Sequence, residues 1–183
     1  MAQSKQDVFD LNIAGYKTEL PVLKLPSGIR IAFFNLHGNQ ELTEHCASAM
    51  SKLLGGVEAL ITAESKGLQL THCVARHLGH KFYAVARKTK KLYMQDGIDI
   101  TIKESITTGE IQKLYLSKHD ADLLKGKKVA IIDDVVSTGN SLNGLEELVQ
   151  KAGGQIVKKA FVLAEGDAAY RQDIVYLATI PIM

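Results

Sequence analysis

Apolar and polar positions alternate along this chain in two periods, and the period changes every ten to fifteen residues. Leu42, Cys46, Ala49, Met50 and Leu53 fall on one face of a helix over 41–54, which Gly55-Gly56 ends. Leu70, Val74 and Leu78 mark a second helix over 68–78, stopped by Gly79. Leu142, Leu145, Leu148 and Val149 mark a third, closed by Gly153-Gly154. Residues 57–62, 81–86, 156–164 and 174–180 read as strands, and 129–132 is a short, β-branched, wholly apolar run. That last run reads as a strand buried on both sides, as in a parallel sheet. Strands alternating with helices imply an α/β fold, a Rossmann-like parallel sheet flanked by helices. Residues 11–31, broken by Pro21, Pro26 and Gly28, read as short strands or extended arms with a hairpin at Pro26-Ser27-Gly28. Residues 89–118 read as a strand pair around a mobile loop.

The richest segment is Val129 to Leu142, VAIIDDVVSTGNSL. Its strand ends in two adjacent carboxylates, Asp133 and Asp134, at the edge where open α/β sheets bind ligands. Ser137, Thr138, Gly139, Asn140 and Ser141 follow as a loop, with Asn140 or Ser141 as the N-cap of the next helix. Amides at a helix start favour an anion. The loop lacks the lysine of a nucleoside-triphosphate P-loop. Acids beside an anion cradle suit a ligand with sugar hydroxyls and a phosphate. An ordinary strand-to-helix turn is the bland alternative for the acids and turn alone. A receiver-like phosphoacceptor domain also pairs acids at a strand end, but leaves the STGNS loop unexplained.

Composition narrows the classes. A net charge of +2 on 183 residues gives no electrostatic case for a nucleic-acid or membrane surface. The two cysteines, Cys46 and Cys73, fall in predicted helices and read as buried thiols. No apolar run reaches bilayer length, and the first ten residues lack a secretory apolar core, so a cytoplasmic enzyme is the expectation.

The pattern of four apolar residues, two acids, two apolar residues and STGNS resembles the phosphoribosyl pyrophosphate (PRPP) signature of the type I phosphoribosyltransferases. The resemblance covers roughly residues 30–165. It implies the family's fold in one domain over 1–183: an arm or hood over about 1–40, a core over 41–165 and a C-terminal strand and tail over 166–183. It implies that Asp133 and Asp134 hold the ribose hydroxyls while residues 137–141 hold the 5′-phosphate. Glu64-Ser65-Lys66-Gly67 resembles the family's pyrophosphate loop, which holds a non-proline cis peptide, here Ser65–Lys66. Adenine-type members have arginine where Lys66 stands; a lysine keeps the charge and loses the bidentate fork. Arg87, Lys88 and Lys91 resemble the V-x-R-K-x-x-K cations that meet pyrophosphate.

Glu110 falls at the hood glutamate of adenine-type members, without the flanking aromatics, in a 95–115 loop expected to close as a lid. Phe33, Phe34 and Asn35 are the base-reading candidates. FFN leans toward xanthine-type members, with one phenylalanine expected in the core. Chain length and the ESKG, ARK and SITT segments lean toward adenine-type members, which favours a purine branch acting on adenine. The resemblance further implies PRPP and a purine base as substrates, Mg2+ carried by PRPP and touching Asp133 or Asp134 through water, and a homodimer. A PRPP-binding regulator on the same scaffold is the reading from another class.

Overall fold

The computed structural model describes residues 7–103 and 111–183. Its centre is a five-stranded, all-parallel sheet of β4 (Ala59–Ala63), β5 (Ala84–Ala86), β8 (Lys128–Val136), β9 (Gln155–Glu165) and β10 (Val175–Ile180). Strand order is β10-β9-β8-β4-β5, so β8 is central. Successive side chains of a strand point to opposite faces, and here both faces are dry. Ala130 and Ile132 of β8 pack with α1 (Gln40–Ser51) and α2 (Gly67–Leu78). Val129 and Ile131 pack with α4 (Asn140–Ala152) and Leu124 of α3 (Lys118–Leu124). That double burial is why β8 carries an unbroken apolar run from Val129 to Ile132.

An N-terminal antiparallel sheet joins β1 (Val8–Ile13), β2 (Tyr16–Lys24) and β3 (Arg30–Ala32). The hairpin at Pro26-Ser27-Gly28 forms as expected, with Gly28 at φ +90°. A second hairpin turns at Ala14-Gly15, with Ala14 itself at φ 49°. Ile13, Leu20, Ala32 and Phe34 bury their side chains in the same cluster as α1. Arg30 and Met183 exchange backbone hydrogen bonds, tying the C-terminus to β3.

Several sequence expectations change. The strand read as 129–132 runs on through both aspartates to Val136, because Val135 and Val136 still pair with β9. The strand read as 81–86 shortens to Ala84–Ala86; Lys81 and Phe82 are exposed. Helix α3, with Ser117 capping it through Asp120 N–H, had no periodic signal in seven residues. Cys46 is fully buried, and burial pushes its thiol up to about 12. Cys73 is only half-buried.

The 95–115 segment is a hairpin of β6 (Ile98–Lys103) and β7 (Ile111–Leu116) over its described part. It leans on α4, where a Cβ on Gly144 would meet Ile102 at 2.5 Å. Gly97 at its foot is tighter: an added Cβ would lie 2.1 Å from the Leu116 carbonyl oxygen. Backbone has no rotamer with which to escape. Gly97→Ala should therefore cost roughly 1–3 kcal/mol of stability, the usual range for overpacking. Urea denaturation checks this, and an unchanged midpoint would contradict it.

Candidate functional site

The site forms where β8 and β4 end beside the starts of α4 and α2. Asp133 and Asp134 are 9% and 5% exposed. Oδ1 of Asp133 accepts the Asp134 N–H at 2.9 Å and the Ser65 hydroxyl at 3.2 Å. A Cβ on Gly67 would sit 2.5 Å from that oxygen, so only glycine lets α2 start this close to the acids. Burial raises the Asp133 carboxyl to about 7, the adjacent Asp134 charge adding to the effect; the Asp134 N–H and the Ser65 hydroxyl oppose it.

After Val136 the chain turns through Ser137, Thr138 and Gly139 into α4. Gly139, at φ +84°, occupies the cap position, and no side chain caps the helix. This corrects the expectation that Asn140 or Ser141 would cap it: Asn140 is already the first helical residue. The leading amides of α4 thus have no side-chain acceptor from the cap, which leaves them suited to an anion. A cavity of about 160 Å3 lies there, lined by Asp133, residues 135–142, Leu145 and Phe161. Drug-sized ligands fill about 300–1,000 Å3, so this cavity takes only part of such a ligand.

The second cradle is the turn from β4 into α2. The Ser65–Lys66 bond is trans; no cis peptide occurs among the described residues, which corrects the family expectation. The Lys66 ammonium lies 3.1 Å from Asp134 Oδ2 and donates to the Phe34 carbonyl at 3.1 Å. It stands 5.5 Å from the centre of the Phe33 ring. That ion pair is off the hydrogen-bonding axis, since Oδ2 of Asp134 has no hydrogen-bond partner. Arg87, at the end of β5, pairs with Glu64 at 2.5 Å. Glu64 thereby orients one of the expected pyrophosphate cations. Lys88 is exposed, and Lys91 lines a separate surface hollow with Lys90, Leu92 and Gln95.

Phe34 is 2% exposed and belongs to the core, so it offers no stacking face; this corrects its place among the base-reading candidates. Phe33 is 37% exposed beside Lys66. Asn35 is exposed, and its Oδ1 accepts the His37 N–H. Glu110 lies outside the described residues. One residue missed by sequence reasoning stands at the site: a Cβ on Gly139 would lie 2.8 Å from Nη1 of Arg171. Its only signal was a cation just beyond a strand's carboxyl end.

Residues 35–180 match the phosphoribosyl transferase domain. The chain belongs to the phosphoribosyl transferase family. Among curated relatives, the adenine phosphoribosyltransferase of Methanococcus maripaludis is 26% identical over 155 residues, 85% of this chain and 79% of that one. The xanthine phosphoribosyltransferase of Bifidobacterium adolescentis is 29% identical over 127 residues, 68% and 65% of the two chains. The crystal structure of adenine phosphoribosyltransferase from Thermoanaerobacter pseudethanolicus superposes with a TM-score of 0.64 at 22% identity, covering 79% of this chain and 84% of that one. The parallel sheet with flanking helices is thus the type I phosphoribosyltransferase fold.

The raised Asp133 has a consequence for stability in this phosphoribosyltransferase. Between its ordinary value near 4 and about 7, the folded chain keeps a proton that the unfolded chain has released. The stabilisation is complete below the ordinary value and is lost as pH rises through about 7. Asp133→Asn, whose amide cannot ionise, should flatten this slope. Melting curves from pH 4.5 to 7.5 should show the wild type losing at least ~3 °C more than the variant; parallel curves would contradict the assignment.

Proposed function

We propose that this chain is a purine phosphoribosyltransferase that transfers the phosphoribosyl group of PRPP to adenine, giving the nucleoside 5′-monophosphate and pyrophosphate. The observation that carries the reading is the buried Asp133–Asp134 pair, continuous through β8 with the uncapped start of α4. In the reaction a purine ring nitrogen bonds to the anomeric carbon as the bond from that carbon to pyrophosphate breaks. Positive charge grows on the ribose and negative charge on the leaving group. Asp133 and Asp134 hold the hydroxyls and favour the cationic sugar electrostatically. Lys66 and Arg87, with the exposed Lys88 next to Arg87, are the cations for the leaving pyrophosphate; Lys91, which lines a separate hollow, does not stand with them. Ser65 holds Asp133 in place from the same loop.

Magnesium fits this site as a cation brought by PRPP. No cluster of three or more potential metal ligands occurs among the described residues. Asp134 nevertheless offers a buried oxygen without a hydrogen-bond partner, and Mg2+ is typically bound by one or two carboxylates together with substrate phosphates. When bound it would neutralise charge on the departing pyrophosphate.

Adenine is favoured by the names of the Methanococcus maripaludis relative and the Thermoanaerobacter pseudethanolicus structure. A 6-oxopurine is the second reading, favoured by Asn35: with Oδ1 taken by His37, its amide N–H group is left to donate to an oxo oxygen. The proposal extends to one domain over 1–183, a pair of chains and a cytoplasmic setting. Leu92 and Tyr93, 92% and 65% exposed, support pairing. The free cysteines fit a reducing compartment. No helix among the described residues is long and apolar enough to cross a membrane.

Incubation with PRPP, magnesium and each of adenine, hypoxanthine, guanine and xanthine should yield AMP preferentially. Preferential product from an oxopurine would move the base assignment. PRPP binding without product from any base would replace catalysis with regulation. Asp134→Asn should slow turnover well over tenfold while circular dichroism stays that of the wild type, and an unchanged rate would sink the role given to the acids.

A further inference from the structure

Arg171 sits just past the 3-10 turn Gly166–Tyr170, at the carboxyl end of β9. That strand pairs with β8 up to Val136, so Arg171 stands on the same ligand-facing edge as the 137–141 loop. Its guanidinium is held in one plane. Nε and Nη2 donate to the two oxygens of Asp173 at 2.9 and 2.8 Å. Asp173 also accepts from Lys159 at 2.7 Å, and Lys159 pairs with Glu146 of α4. The chain of four charges therefore starts on α4 and returns to α4 at its first turn. Arg171, followed by Lys159, keeps Asp173 well below the usual carboxylate range, so this anchor stays ionised through the neutral range.

The fork that Asp173 grips leaves Nη1 pointing elsewhere, and it points at the loop. A methyl group on Gly139 would lie 2.8 Å from it. Gly139 is buried although Thr138 and Asn140 on either side are exposed. A planar cation with two N–H donors on Nη1, fixed beside uncapped amides, is suited to a phosphate rather than to a carboxylate already paired. We propose that Arg171 donates from Nη1 to the 5′-phosphate of the sugar phosphate, with Asp173, Lys159 and Glu146 as its positioning residues. This rests on the sugar-phosphate reading of the site.

Calorimetric titration of ribose 5-phosphate and of magnesium pyrophosphate into wild type, Arg171→Gln and Arg171→Lys tests it. Ribose 5-phosphate carries only the phosphate in question, and pyrophosphate only the other end. Arg171→Gln should weaken ribose 5-phosphate at least about tenfold, the scale of a lost charge-assisted contact, and leave pyrophosphate within about twofold. Arg171→Lys, which keeps the charge and loses the fork, should fall between and covers the case in which the glutamine variant fails to fold. Ribose 5-phosphate binding unchanged in the variants overturns the proposal. So does an equal loss of both ligands, which marks a structural role. Wild type that binds neither ligand overturns the sugar-phosphate reading and this inference with it.

Discussion

Asp133 and Asp134 are neighbours in sequence and nearly dry, and would carry like charge if both ionised. Burying one carboxylate is costly, and burying two side by side costs more, because each charge opposes the other. The fold meets this with donors from the strand's own backbone and from the β4–α2 turn. The Asp134 N–H and the Ser65 hydroxyl serve Asp133. Lys66 stands against Asp134. The close start of α2, allowed by the bare Cα of Gly67, brings the β4–α2 turn within reach. A scaffold that keeps such an unfavourable pair at its ligand edge is arranged around what the pair binds.

Lys66 links the parts of the site. One ammonium lies between a buried acid, the Phe34 carbonyl and the exposed face of Phe33. The end of β8, the β4–α2 turn and the chain at Phe33-Phe34 thus meet at a single cation. An arginine at this position would place a planar fork where the lysine places a point charge. On the far side of β8, the Glu146–Lys159–Asp173–Arg171 chain does a comparable job for the start of α4. Cations therefore flank the acids on both sides, Lys66 and Arg87 on the α2 side and Lys159 and Arg171 on the α4 side.

The sequence made the central sheet and its helices legible because each bears a strong period or an unbroken apolar run. The helices at 41–54 and 68–78 appear with boundaries shifted by a few residues. Short elements were less legible: β5 shrank to three residues, and α3 has too few turns to show a period. The end of β8 was misjudged because charged residues ordinarily end a buried strand, whereas here they are part of it. The acids, STGNS and ESKG loops and Arg87 were readable as a contiguous chemistry. Arg171 was not, since its partners, Asp173 apart, lie elsewhere in the chain and its contact with Gly139 exists only after β9 aligns with β8. The split of Phe33 from Phe34 likewise needs the tertiary structure, since neighbouring residues of extended chain point opposite ways.

The central claim is that one strand-to-helix junction holds both the sugar hydroxyls and the 5′-phosphate of a single ligand. A crystal structure of the protein with PRPP and magnesium tests it most directly. The account predicts ribose hydroxyl oxygens within hydrogen-bonding distance of Asp133 and Asp134, and the 5′-phosphate on the amides of residues 137–141. PRPP bound with its ribose away from the two aspartates, or with its 5′-phosphate away from that loop, would contradict it.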